Sequence, residues 1–270
     1  MSSFGPPRPP PDLPSQPHTN PILSYDPNAT NSNSTKKSTS ATLNPSQADI
    51  LECQIQSWYP RFKEHTIETV IIGPLESDFI DYLKADGIRL PIECEKQDDN
   101  DDGWNDDDSS GSSSSPPPAF PALTDEIKAA IKALQRSVLP KLNFSAPSDA
   151  VWCNMNTLKC TRPSDVYLLL KSSDFIQHDL EHVFDEEYPE NYHHFLALRK
   201  WDSNMHKSGE FRCFVVESEI VAISQRKTAE YFAFLMKQEE RERVISTICD
   251  WYDDVIVGIE NVNEQDFAVR

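Results

Sequence analysis

The 270-residue chain carries 44 acidic against 25 basic side chains, a formal net charge of −19, with 38% hydrophobic residues. That balance argues against a general nucleic-acid binder, which needs a basic face to displace phosphate counterions. No window is long and apolar enough to cross a bilayer, and the N-terminus lacks the apolar centre of a secretory signal, so a cytoplasmic protein is expected.

Residues 1–48 are dominated by Pro, Ser, Asn and Thr and offer few apolar side chains against the entropy of ordering, so they read as a disordered tail. Residues 49–96 form a first ordered block. It holds a strand-like run over 67–72, a break at Gly73-Pro74-Leu75, and a short helix marked by Phe79, Ile80 and Leu83. A block this small rarely makes its own core, so it is expected to pack on a second, larger block. Residues 97–118 (QDDNDDGWNDDDSSGSSSSPPP) read as an acidic, Ser/Pro-rich linker. Removing its seven aspartates still leaves a charge of −12, so the remainder is acidic too and suits a basic protein partner or simple solubility.

The second ordered block, 119–270, opens with a helix carrying Ile127, Ala130, Ile131 and Leu134, for which Thr124 is a plausible N-cap. A strand follows over 138–143, then a polar turn and a short strand over 157–160. Pro163 sits in the first turn of the next helix, where its missing N–H matters little. Residues 175–191 look acidic and irregular, and 195–201 strand-like. The clearest hairpin joins 211–216 to 220–224 through Glu217-Ser218-Glu219. Residues 228–256 read as helical, with the charged run 237–243 as a solvated face. The fold class is therefore α+β, mixed α/β. Six cysteines at 53, 94, 153, 160, 213 and 249 form no CxxC pair and read as reduced, mostly buried thiols.

Several residues are candidates for chemistry. Lys141 lies on a strand just before the turn 145–148, where a lysine can neutralise phosphate oxygens, although an edge or solvent lysine gives the same pattern. Arg199, Lys200 and Trp201 end an apolar strand that could offer backbone groups to a purine. Glu210 and Arg212 share a strand face, and Gln225 and Arg226 close the neighbouring strand, so the four gather at one edge of the hairpin. A surface salt-bridge ladder would look the same. His178-Asp179-Leu180-Glu181-His182 matches the inverted zinc-peptidase pattern, but no apolar helix accompanies it, and surface histidines explain it more simply. Neither GxGxxG nor GxxxxGK[ST] occurs.

Six blocks, in order, carry a resemblance to a known family: residues 57–62 (SWYPRF), 139–147 (LPKLNFSAP), 171–175 (KSSDF), 198–201 (LRKW), 210–214 (EFRCF) and 223–226 (ISQR). They resemble the cell division cycle protein 123 family. The resemblance implies a two-lobed, ATP-grasp-like fold holding ATP and Mg2+, and a monomeric chaperone for assembly of translation initiation factor 2. That chaperone would bind the factor's gamma subunit and promote its joining to the alpha subunit. By the same resemblance Lys141 would contact phosphates, and Asn143, Ser145 and Ala146 would line a turn over the nucleotide. Arg199, Lys200 and Trp201 would form the adenine hinge, with Glu210, Arg212, Gln225 and Arg226 continuing toward ribose and phosphates.

Departures are also legible. Family members continue beyond the position of Arg270 into strands bearing an Asp and then Asp-x-Asn, the magnesium ligands, so the metal half of the site is expected to be missing and ATP binding weakened. Lys227 stands where an aspartate is expected. A carboxylate–amine ligase shares the implied fold, since fold alone does not decide function. A nucleotide-free binding module is the other alternative.

Overall fold

The computed structural model describes residues 46–95, 116–184, 188–190 and 192–258. The expected tail, apart from its last three residues, most of the expected linker and the last twelve residues lie outside the described residues.

Helices α1 (Gln47–Glu52) and α2 (Ile55–Phe62) lead into strand β1 (Thr69–Ile72) and helix α3 (Ser77–Lys84). A single-turn helix α4 (Ile92–Glu95) and the long α5 (Pro121–Ala133) precede β2 (Val138–Lys141). Helices α6 (Pro163–Lys171) and α7 (Asp174–Glu181) then lead to β3 (Leu196–Lys200). The last described elements are a hairpin, β4 (Phe211–Val216) and β5 (Glu219–Gln225), and α8 (Gln238–Trp251), which runs into a π-helical stretch over Tyr252–Val257.

The first three strands form an antiparallel sheet in the order β1-β3-β2, so the first sequence block supplies one edge of a sheet centred in the second. Pro140, with no N–H to give, lies in an edge strand, where a ladder tolerates it. The register places Val70, Leu198 and Pro140 in one row, and Ile72 opposite Leu196 on the same face. That face meets Phe79 and Leu83 of α3, Ile127 and Ile131 of α5, and Val166, Leu169 and Leu170 of α6, and together they make the core. Side chains alternate along a strand, so Thr69, Ile71, Leu139, Lys141, Ala197 and Arg199 fall on the opposite face.

Gly73 ties the end of β1 to the start of β3. Its φ is +133°, and a Cβ there would meet the His194 carbonyl at 3.1 Å and the Phe195 ring at 3.0 Å. The neighbouring Leu75 amide donates to the same carbonyl at 2.8 Å. At the hairpin, Glu217 and Ser218 both take positive φ (51° and 61°), which gives the two-residue turn whose twist matches a right-handed ribbon.

Several expected elements shift, each for a local reason. Helix α5 starts at Pro121, with Phe120 as N-cap, because proline presets the first turn. Thr124 is therefore inside the helix and buried, its hydroxyl 2.8 Å from that of Tyr167. The segment 157–160 makes a single bridge, Val138 with Cys160, rather than a strand. The acidic stretch after residue 173 holds a real helix, α7, capped by the Ser173 hydroxyl and by Asp149, which accepts from the amides of Asp174 and Phe175. The last helix begins at Gln238, preceded by a 3-10 turn over Ala233–Met236, not at Thr228. None of the six cysteines forms a disulfide among the described residues, and only Cys160 is buried.

Lys171 is the buried cation of the core. Its ammonium donates to the Tyr82, Leu83 (3.1 Å) and Ala85 carbonyls at the C-terminal end of α3, and Gln177 adds a fourth bond, to Leu83. Helix C-termini leave such carbonyls without intrahelical partners. Replacement of Lys171 by Met strands them, and is expected to lower unfolding stability in urea by about 2–3 kcal/mol. A loss below about 0.5 kcal/mol, the range of neutral surface changes, would show that α3 is held by packing alone.

Candidate functional site

The site lies on the sheet face turned away from the core. Lys141 ends β2 opposite Ala197, and Arg199 lies two residues further along β3. The two are diagonal neighbours, roughly 7–8 Å apart at Cα. Arg226 follows β5, and its charge also reaches Lys141.

Among the described residues only Arg226 of the three has an ion-pair partner. Among the described residues Lys141 makes no side-chain hydrogen bond and no ion pair. Burial pushes its amine down to about 8, against the pull of Asp179, and the charges of Arg199 and Arg226 add to the depression. Arg199 donates through Nη2 to Thr66 Oγ1 at 3.0 Å, but its Nε is buried without a partner. Burial lowers its pKa as well. Arg226 pairs with Glu210 at 3.0 Å, an exposed contact of small energetic weight. Lys141 and Arg199 on one half-buried sheet face, one free and one with an orphaned N–H, with the exposed Arg226 near enough for its charge to act on Lys141, form an acceptor site for an anion.

After Lys141 the chain turns back at once, with the Leu142 amide donating to the Ser145 carbonyl at 2.9 Å. Asp179 of α7, 2% exposed, holds this turn. Its Oδ2 accepts from the amides of Phe144 (3.1 Å) and Ser145 (2.6 Å), and its Oδ1 accepts from the Ser145 hydroxyl (2.6 Å). Ala146 follows, half-buried beside the turn.

Asn143 has a different place from the one its motif implies. It is fully buried and its amide is committed to the frame of the fold. Nδ2 donates to the Gln54 side chain (2.5 Å) and the His193 carbonyl (2.9 Å), while Oδ1 accepts from the Phe195 amide (2.8 Å). Its own carbonyl accepts from the Ile55 amide at 3.0 Å. Asn143 is a clamp behind the turn and does not line it.

The expected hinge is partly spent. The Lys200 amide donates to the Glu68 carbonyl and the Trp201 amide to the Ser137 carbonyl, both at 2.9 Å. Neither N–H is open to a base, and the Lys200 ammonium points to Glu68 at 3.7 Å. Of the hairpin group, Glu210 and Arg226 meet, the Arg226 amide also donating to the Glu210 carbonyl, whereas Gln225 lies opposite Phe211 and donates to the Lys207 carbonyl at 2.9 Å. Arg212 sits opposite Ser224 and is exposed, apart from the Lys141 cluster.

His178 and His182 lie exposed at the end of α7, their rings 5.8 Å apart, with Glu181 exposed beside them. Among the described residues no group of three or more His, Cys, Asp or Glu could hold a metal ion. The residue of that segment that enters the interior is Asp179. Its signal was available: it falls on the inward stripe with Ile176 and Leu180. Beside it Phe184, Tyr188, Tyr192 and His194 pack ring to ring, and burial pushes His194 down to about 4.

Clamp and cation should separate experimentally. Replacement of Asn143 by Ala strands Gln54, the Phe195 amide and the His193 carbonyl, and is expected to lower stability by about 2–4 kcal/mol. Lys141→Ala should leave stability unchanged or raise it, because it removes a half-buried, unpaired charge. Equal losses by urea denaturation would place Lys141 in the packing instead.

Three comparisons bear on what this site belongs to. A family model described as D123 matches residues 58–269. The translation initiation factor eIF2 assembly protein of Botryotinia fuckeliana is 42% identical over 203 residues, covering 70% of this chain and 49% of that protein. The protein of the same name from Xenopus laevis is 39% identical, covering 72% of this chain and 61% of its own. Cell division cycle protein 123 of Yarrowia lipolytica is 38% identical, covering 77% and 56%. The chain thus spans about half to three-fifths of the length of these curated relatives. The solved structure of Cdc123 from Schizosaccharomyces pombe superposes with a TM-score of 0.62 at 33% identity, covering 78% of this chain and 76% of that one. With the family model covering most of the sequence, and a Cdc123 structure sharing the fold, the chain belongs to the D123 family.

Proposed function

We infer that this protein binds the phosphates of ATP at the Lys141 cluster and serves, in the cytoplasm, as an assembly chaperone for translation initiation factor eIF2. The observation that carries the nucleotide half is the amine of Lys141, half-buried, without a partner among the described residues, and flanked by Arg199 and Arg226. Relatives named eIF2 assembly protein support the chaperone half. The gamma subunit is the partner we assign, and joining it to the alpha subunit the step. The acidic body suits a basic partner surface.

In this reading the frame is ATP-grasp-like and the residues divide by what they can do. Lys141 and Arg199 offer N–H donors and positive charge to phosphate oxygens. Arg226 adds charge from the hairpin, and Glu210 fixes its direction. The turn at Ser145 and Ala146 lies beside the phosphates. With the amides of Lys200 and Trp201 committed within the sheet, an adenine would meet carbonyl groups and the flank of Trp201 there. Gln225 and Arg212 are left toward the ribose side. The phosphates fit the residues present. Among the described residues no group of three or more His, Cys, Asp or Glu could hold a metal ion by itself, and no step is assigned to magnesium. Binding, rather than turnover, is the role assigned to ATP.

Calorimetry tests the nucleotide half. Each charge-assisted contact to an anion contributes about 1.5–3 kcal/mol, so Lys141→Ala or Arg199→Ala should weaken ATP binding roughly 10- to 100-fold. Affinity should fall as pH rises through about 8, because the depressed amine of Lys141 is charged below that value and neutral above it. The pH dependence should vanish in Lys141→Ala. No measurable ATP binding by the unaltered chain, with and without magnesium, would sink the nucleotide half. Failure of the gamma subunit to retain the chain at low salt would sink the chaperone half.

A further inference from the structure

One buried carboxylate holds the turn that follows Lys141. Asp179 takes three donors, two amides and a hydroxyl, all from Phe144 and Ser145. It is also the attractive charge acting on Lys141, opposed by Arg199 from β3 and Arg226 from the end of β5. Behind it, Tyr188 and Tyr192 lie within reach of its charge. Its neighbours on the helix, His178, Glu181 and His182, are exposed. A carboxylate shut away from water is costly unless paired and hydrogen-bonded. Here it is hydrogen-bonded to the turn and sits near an amine with no partner of its own among the described residues.

We propose that Asp179 is the positioning residue of the phosphate subsite, fixing the turn that follows Lys141 through its bonds to Phe144 and Ser145 and setting a negative charge behind the cations of the site. The inference rests on the phosphate reading above. The two roles use different atoms. The turn depends on directed bonds to Phe144 and Ser145, whereas the charge acts on Lys141 through space. Without the charge, the cluster is three mutually repelling cations, and the amine is the member that sheds its proton.

The test uses the full chain with Asp179→Asn, Asp179→Glu and Ser145→Ala. The midpoint of Lys141 is read by NMR on ligand-free protein, and inorganic tripolyphosphate is the probe for affinity. In Asp179→Asn the midpoint should drop by about one pH unit or more. Tripolyphosphate binding should then weaken roughly tenfold at pH 8.5 but only about threefold at pH 6.5, where Lys141 is charged in either protein. A purely structural role would weaken binding equally at both. Asp179→Glu should keep the midpoint while weakening binding at both pH values. Ser145→Ala should do the same more mildly, and it retains the charge should the asparagine variant fail to fold. An unmoved midpoint in folded Asp179→Asn overturns the charge role, and unaltered affinity in Ser145→Ala overturns the positioning role. Because the midpoint is read without ligand, failure of the unaltered chain to bind tripolyphosphate would count against the phosphate reading alone.

Discussion

The Asn143 amide joins parts of the chain that are far apart in sequence and that no strand pairing connects directly. Through Gln54 it reaches the junction of α1 and α2, and through His193 and Phe195 it sets the entry of β3. Its main chain meanwhile receives the first amide of α2. A buried primary amide with both ends matched is strongly directional, because any displacement leaves a donor or acceptor dry. The consequence is positional. With β3 set at its start, Arg199 and Lys141 are brought to one face by register alone, and the turn beyond Lys141 is held from behind.

The two faces of the sheet solve opposite problems. One is closed by leucines, isoleucines and valines from three helices, and excludes water. The other keeps charge in a half-buried place where Coulomb energies are larger than in bulk water. A protein with a net charge of −19 repels polyanions at long range. That repulsion is screened beyond about 8 Å at physiological ionic strength. A recessed positive cluster with little direct neutralisation can therefore act at short range within an acidic body. Glu210 is the one carboxylate in direct contact with the cations among the described residues, and it holds Arg226, the most exposed of the three.

Much of this was legible from periodicity and from local chemistry. Ile71 and Ile72, the apolar run before Arg199, and the hairpin around Glu217 and Ser218 announced their strands, and Pro163 announced its helix. What escaped was set by tertiary context. Thr124 looks like a cap, but proline one turn earlier takes the start and leaves the hydroxyl to Tyr167. Helix α7 was obscured because its inward stripe contains an aspartate, which reads as solvent-facing until its three donors are known. Asn143 sits in a motif with binding residues on either side, and nothing in the sequence distinguishes an amide that faces a ligand from one that faces Gln54. The spent amides of Lys200 and Trp201 depend on pairing with residues some sixty to one hundred and thirty positions away, which local pattern does not encode.

The hairpin has less cover than the three-stranded sheet. Phe214, Val216 and Val221 are all more than half exposed, and β4 and β5 pair only with each other among the described residues. A two-stranded ribbon with so little cover is held mainly by its own ladder, which is marginal in water. Its amides therefore open by local fluctuation, with free energies well below that of global unfolding, while those of β3, bonded on both sides, open only when the domain does. On this argument the amides around Lys141 and Arg199 are expected to exchange slowly with solvent, and those of the ribbon that ends at Arg226 faster.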